Sequence, residues 1–260
     1  MTLELPPELE PYRARIEATV RPCVVLKKAD GEPGLRDSKV GGVAYWPKDM
    51  DYPSDANGRP MYMLMQLNLG DLPKLEGYPK AGILQFFIVI DPYYGSYNVD
   101  GMEGTGHRVV YHSDTSKLDQ ELETVSIILG PDDQLPLDIM DVSITTSLTG
   151  VSENMVVTEC DASYYQTFSD IDEFDNNVIM EKFREPLLNV DWSTHLGGYP
   201  QFFQGGFSSE YSEWLTLLTI TADEEINILY GQGGVGNFFI LPQDLANLDF
   251  SRVMYAWDCT

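Results

Sequence analysis

Read as a pattern of apolar and polar positions, the chain breaks into many short segments. Pro6–Val20 carries a helical period. Pro6 and Pro7 suit a first turn, Glu8 and Glu10 suit its positive end, Ile16 and Val20 lie one turn apart, and Pro22 is the stop. Beyond it the strand signal dominates. Cys23–Leu26 reads as a short buried strand, followed by a turn-rich link from Lys27 to Ser38. Met61–Leu67, Ile83–Ile90, Arg108–Tyr111 and Val125–Leu129 are β-branched, aromatic or apolar runs bounded by turn residues, and Leu137–Thr146 and Asn154–Thr158 repeat that signal in weaker form. A second helical period occupies Asp170–Leu188, where Ile171, Phe174, Val178 and Phe183 share a face. Strands resume at Trp214–Thr221, Ile226–Tyr230, Asn237–Leu241 and Val253–Trp257, with a short helix over Pro242–Leu248. Many strands, few helices and short connections predict a mainly β fold bordering on α+β. Its sheets are mostly antiparallel, with an N-terminal helix and a few flanking helices.

The strand order repeats. Gly41-Gly42, then Met63–Leu67, then Ile83–Ile88 with Phe86-Phe87 is echoed by Gly197-Gly198, then Leu215–Ile220, then Val235–Ile240 with Phe238-Phe239. The interval from the glycine pair to the phenylalanine pair is 45 residues in the first copy and 41 in the second. Similar order at similar spacing suggests an internal duplication. The expected organisation is a single domain over 1–260. It has a helix at about 6–21, pseudo-repeats at about 38–118 and 190–260, and a central insertion at about 119–189.

The residues that carry this order also carry a resemblance. Ser38-Lys39-Val40-Gly41-Gly42 with Trp46-Pro47, Asp55-Ala56-Asn57-Gly58-Arg59-Pro60, Leu64–Leu69 and Gly82–Phe87 resemble the YwqG-like family of bacterial proteins. So do Gly198–Gln201, Leu217-Leu218, Gly233–Ile240 and the ending Leu248–Val253 with Trp257-Asp258-Cys259. The resemblance implies a mainly β, internally duplicated domain. It implies no activity, because the family's function is unassigned.

Charge changes the picture more than composition does. The chain has 16 Lys+Arg and 41 Asp+Glu, a formal net charge of −25. Residues 1–118 hold 13 basic and 16 acidic residues, whereas 119–260 hold 3 and 25. Such a chain lacks the basic face that nucleic acid or an anionic membrane requires. No apolar run reaches the length of a membrane span, and the start lacks the pattern of a signal peptide. Cys23, Cys160 and Cys259 are odd in number and far apart, which argues against disulfides and a zinc knuckle and for a reducing cytoplasm.

Most tempting sites fail on their own chemistry. Gly231-Gln232-Gly233-Gly234-Val235-Gly236 matches the dinucleotide fingerprint, but a strand-like run follows where a phosphate-binding helix is needed. Asp49, Asp51, Asp55 and Asn57-Gly58 crowd one loop but do not match a calcium loop. His107 and His112, five apart in a strand, face opposite ways, and His195 stands alone, so the histidines read as structural. Ser38 and Lys39, adjacent in an extended segment, face apart and cannot act as nucleophile and base. No metal site and no cofactor is predicted. The remaining feature is aromatic: Trp46, Trp192, Phe202, Phe203 and Tyr211 are candidates for a groove between the repeats that would bind a ligand or a basic peptide. The reading is a non-catalytic interaction or binding module whose partner is a basic protein. A hydrolase or transferase with its site in the seam between the repeats, and a carbohydrate- or ligand-binding β module, are the alternatives.

Overall fold

A computed structural model describes residues 3–89, 91, 94–96, 106–125, 139–171, 192–205 and 211–260. Ten strands are found among them: β1 Arg21–Lys28, β2 Lys39–Val40, β3 Tyr62–Asn68, β4 Ile83–Ile88, β5 His107–His112, β6 Thr146–Met155, β7 His195–Gly197, β8 Leu215–Thr221, β9 Val235–Ile240 and β10 Met254–Asp258. They form one sheet in the order β10-β9-β8-β7-β1-β6-β2-β3-β4-β5, and every ladder is antiparallel. The fold is therefore mainly antiparallel β, as the sequence pattern predicts. The sheet curls until its ends face each other. At the β5–β10 seam His107 bonds the Val253 carbonyl and the Tyr111 ring lies 5.5 Å from that of Phe250.

The strand period of two decides which side chains fill the interior. On β4, Leu84, Phe86 and Ile88 join the main core inside the curl, together with Val24, Leu26, Leu218 and Phe238. The alternate residue Phe87 packs outside with Trp46, Met61 and Met63. On β1, Cys23 and Val25 face outward and are covered by Leu9, Ile16, Tyr164 and Phe168. Ile16 comes from α1, Arg13–Ala18, Tyr164 and Phe168 from α2, Ala162–Phe168, and Leu9 from the segment before α1.

Several elements differ from the sequence pattern, each for a physical reason. The expected Pro6–Val20 helix shrinks to a 3-10 turn, Glu10–Tyr12, leading into α1. Pro11 stands where a helix begun at Pro6 would need an N–H donor. Ile226–Tyr230 is not a strand. Asp223 caps a 3-10 turn at Glu224–Ile226, Asn227 is left-handed at φ 63°, and Tyr230–Gly233 forms a single turn, α3. Of Leu137–Thr146, the described residues 139–145 are not strand, and only Thr146 enters β6. The polar run Thr146–Met155 becomes a central strand, paired with β1 from Arg21↔Met155 to Lys28↔Leu148. Asp161, whose side chain accepts from the Ser163 N–H, starts α2 where no helix is predicted. Asp170 and Ile171 are not helical, and the rest of the predicted Asp170–Leu188 helix, like most of Val125–Leu129, lies outside the described residues. The predicted helix near Pro242 appears as α4, Pro242–Ala246.

Candidate functional site

Four polar or aromatic assemblies stand out: two carboxamide clamps on the outer face, a buried cluster at the seam, and an exposed ring pair. The clamps are built on buried polar side chains, Gln66, Gln85, Thr219 and Asn237. Gln85 and Asn237 each immediately precede the Phe-Phe pair of their strand. Gln85 Nε2 donates to the Tyr45 carbonyl at 2.9 Å and to Gln66 Oε1 at 2.8 Å, while Gln66 Oε1 also accepts from the Tyr45 N–H at 2.8 Å. Asn237 makes both backbone contacts alone. Its Nδ2 donates to the Gln201 carbonyl at 2.7 Å and its Oδ1 accepts from the Gln201 N–H at 3.3 Å and from Thr219 Oγ1 at 2.9 Å. Tyr45 and Gln201 each sit three residues past a Gly-Gly turn whose glycines have φ between 64° and 75°. Three residues before each turn a hydroxyl accepts a backbone N–H: Ser38 from Asn68 at 2.9 Å, and Thr194 from Thr221 at 3.1 Å.

These bonds show what the sequence-predicted polar candidates do. Lys39 is buried, and its Nζ donates to the Gly34 and Leu35 carbonyls at 2.8 and 3.3 Å, while Ser38 is engaged with Asn68. Desolvation lowers the Lys39 pKa to about 8. His112 faces outward and bonds Gln85 Oε1 at 2.9 Å; desolvation lowers its pKa to about 4. His107 faces inward, toward the Phe238 ring. His195 lies between the Ser193 and Tyr199 carbonyls at 2.7 and 3.0 Å. Complete burial pushes its pKa down against both carbonyls. Asp55 caps its own turn through the Asn57 and Arg59 N–H groups, and Asp49 pairs with Lys117 at 2.9 Å. No group of three or more His, Cys, Asp or Glu is placed to hold a metal among the described residues. The glycine-rich run 231–236 opens on the α3 turn and leads into β9. A Cβ on Gly236 would fall 2.2 Å from the Tyr230 hydroxyl, so that position is kept bare by the packing of one ring.

The aromatic candidates separate. Trp46 is 1% exposed, with its Nε1 donating to the Met50 carbonyl at 2.9 Å and its ring set edge-on to Tyr52, Phe87 and His112. It is a core residue and lines no surface. Phe202 is half-buried and lies parallel to Phe239 at 6.4 Å. Tyr211 is half-buried, and its carbonyl accepts from the Trp214 N–H. Only Trp192 and Phe203 meet as an exposed pair. Their rings stack at 4.3 Å with 24° between planes, at 44% and 37% exposure. Asp258 holds the Phe203 and Gln204 N–H groups at 3.0 and 2.8 Å, fixing one wall of the pair. Trp192 has φ 56°, a left-handed conformation that costs a bulky residue free energy.

The sequence singles out His107 but gives no sign that it meets Tyr94, Tyr230, Tyr255 and Trp257 at the seam. His107 Nε2 bonds the Val253 carbonyl at 2.7 Å, and its ring centre lies 5.6 Å from that of Tyr255. The Tyr255 and Tyr230 hydroxyls are 2.6 Å apart. Tyr94 packs against Tyr230 and Trp257 at 6.3 and 4.4 Å, and Asp91 Oδ1 accepts from the Gly95 N–H. Burial, followed by Tyr230, Asp91 and Tyr94, pushes the Tyr255 pKa well up.

With this geometry in view, the family comparison decides membership. A family model described as a domain of unknown function, DUF1963, matches residues 38–259. The chain belongs to that family. A comparison with curated proteins finds no match. The match begins after α1 and β1, although β1 is the strand that joins β6 to β7 in the middle of the sheet. This DUF1963 chain therefore completes its sheet with a segment that lies before the family boundary.

Proposed function

We propose that the protein is a non-catalytic interaction module that captures a basic partner protein on its acidic C-terminal half. The observation that supports this most directly is the stacked Trp192–Phe203 pair, exposed within a stretch, 119–260, that holds 25 acidic and 3 basic residues. Two adjacent aromatic faces in a negative field suit an Arg or Lys side chain. Each cation–π contact adds about 0.5–2 kcal/mol, and the surrounding carboxylates raise the association rate and its salt sensitivity. The side chains that could have served hydrolysis or transfer, Ser38, Lys39, His112 and His195, are each bonded to the scaffold. A ligand-binding or enzymatic role at the seam is the second reading, favoured by the cluster around His107. Nucleic acid and anionic membranes are poor partners for a chain of net charge −25.

On the same footing, we take the halves β2–β5 and β7–β10 to be two copies of one sheet unit. The repeated clamps, Gln85 on Tyr45 and Asn237 on Gln201, support this, as do the Phe86 and Phe238 rings meeting at 4.9 Å. Membership of the YwqG-like group of bacterial proteins and a cytoplasmic location belong to the same reading, supported by the ordered motifs from Ser38 to Cys259 and by the free cysteines.

The partner reading is tested by titrating an oligoarginine peptide at about 50 mM and about 300 mM salt, a range over which surface charge becomes screened. Binding should weaken with salt, and Trp192→Ala should weaken it several-fold further. Tyr165→Ala, at an exposed aromatic on α2, should leave it unchanged. Equal binding by wild type and Trp192→Ala would sink the assignment of that pair.

A further inference from the structure

The geometry of the exposed ring pair limits which basic side chain it can take. The Trp192 and Phe203 ring centres are 4.3 Å apart, with 24° between planes. A group held between two ring faces needs about 7 Å, twice the contact distance of stacked heavy atoms, so the inner faces are closed. Each ring offers only its outer face. Because the planes are nearly parallel, those two faces point away from each other and cannot converge on one ligand. No third ring packs against either of them among the described residues. The pair is therefore a flat platform and not a cage, and Trp192 is its wider and more exposed ring, at 44% against 37%.

The platform is held in place from two strands. Thr221 Oγ1, at the end of β8, donates to the Trp192 carbonyl at 3.2 Å. Asp258, at the end of β10, accepts the Phe203 and Gln204 N–H groups and sets a carboxylate charge beside the Phe203 wall. Trp192 keeps its left-handed φ of 56° although much of its ring stays in water. Burial of the ring does not account for that strain, and strain of this kind gathers where a residue is held for a ligand.

A single flat face in acidic surroundings separates the two basic side chains. Guanidinium is planar and weakly hydrated, so it lies flat on an indole and keeps its N–H donors at the rim for water and carboxylates. An ammonium is compact and strongly hydrated, and it gains most from rings that enclose it. Two outer faces pointing apart enclose nothing. A neutral ligand could stack on the same face but would gain nothing from the negative field. We propose that Trp192 reads arginine in preference to lysine in the basic partner, with the guanidinium flat on the outer indole face and Phe203 backing the ring from the other side.

This assignment rests on the basic-partner reading above, and two peptides of equal charge separate the two. They are heptalysine and the same peptide with arginine at its centre, titrated by calorimetry into the intact protein at about 50 mM salt, where surface charge still acts. Both should bind, the arginine peptide about threefold more tightly. Trp192→Gly, which accepts the left-handed backbone without strain, should erase that difference. Phe203→Leu, which keeps an apolar side chain beside the indole, should shrink it. Heptalysine should bind both variants nearly as it binds wild type. Equal affinities for the two peptides in wild type overturn the arginine assignment and leave capture by charge standing. Absence of binding by either peptide removes both readings. A preference for arginine that survives in Trp192→Gly also overturns the assignment, as does displacement of the arginine peptide by cellobiose, which would make the platform a sugar site.

Discussion

At the residue scale, one buried carboxamide does the work of a short ladder. Asn237 is fully buried and satisfies the Gln201 backbone in both directions, as well as the Thr219 hydroxyl. Asn237→Ala would strand a buried N–H, a carbonyl and a hydroxyl. At about 1–3 kcal/mol for each unsatisfied buried group, partly relieved by relaxation, the expected loss is about 3 kcal/mol, read from the denaturant midpoint. Gln85→Ala should cost a similar amount, because it strands the Tyr45 carbonyl and leaves His112 without its acceptor. A loss below about 0.5 kcal/mol in both would mean that the clamps are incidental. The sequence held a readable trace of these clamps: each carboxamide directly precedes a phenylalanine pair, and each target lies three residues past a glycine pair. The seam residues left no such trace. Asp91, Tyr94, His107, Tyr230 and Tyr255 are brought together by the closing of the sheet, and no periodicity records which sheet ends meet.

At the element scale, β1 decides more than its eight residues suggest. It pairs with β6 along its whole length and with β7 through Cys23–Val25, so it joins the two halves of the sheet. It also carries Cys23 and Val25 into the cluster covered by Leu9 and Ile16. A chain restricted to the matched span 38–259 would leave β6 and β7 with open edges and strip cover from Met155, Val157 and Tyr199. The truncated protein is expected to be insoluble or to lack a cooperative thermal transition, and a transition matching that of the full chain would refute this. β1 itself is legible, because its Cys23–Leu26 centre is a plain apolar run. β6 is not, because Thr146–Met155 is mostly polar and gains strand form from pairing on both edges.

At the scale of the whole molecule, three buried histidines are expected to make stability fall as the pH drops. In each, burial lowers the pKa, to about 4 for His112. The unfolded chain takes up these protons near the ordinary histidine value of about 6.5. His112 therefore contributes full stability above about pH 6.5, and that contribution falls as pH drops toward 4, by at most about 1.4 kcal/mol per unit. Chemical denaturation at several pH values across that window should show the slope, and His112→Gln, which keeps a donor toward Gln85, should flatten it. An unchanged slope would exclude His112 as a source. The paired carboxylates act lower. Asp49 and Asp170, held below the ordinary carboxylate range by Lys117 and Arg15, lose their contribution only as they protonate, and both are exposed enough for that contribution to be small.

The sequence alone determined the strands β1, β3, β4, β5, β8, β9 and β10, the mainly β class, the repeated order and the acidity of the second half. These follow from local alternation, turn residues and charge counts, which need no knowledge of neighbours. The tertiary structure decided the rest. Pairing made a strand of polar Thr146–Met155, burial took Trp46 into the core, and curling of the sheet brought its last strand, β10, to face β5. Each of these depends on which distant surfaces meet, and the free energy that selects those contacts is spread over the whole core.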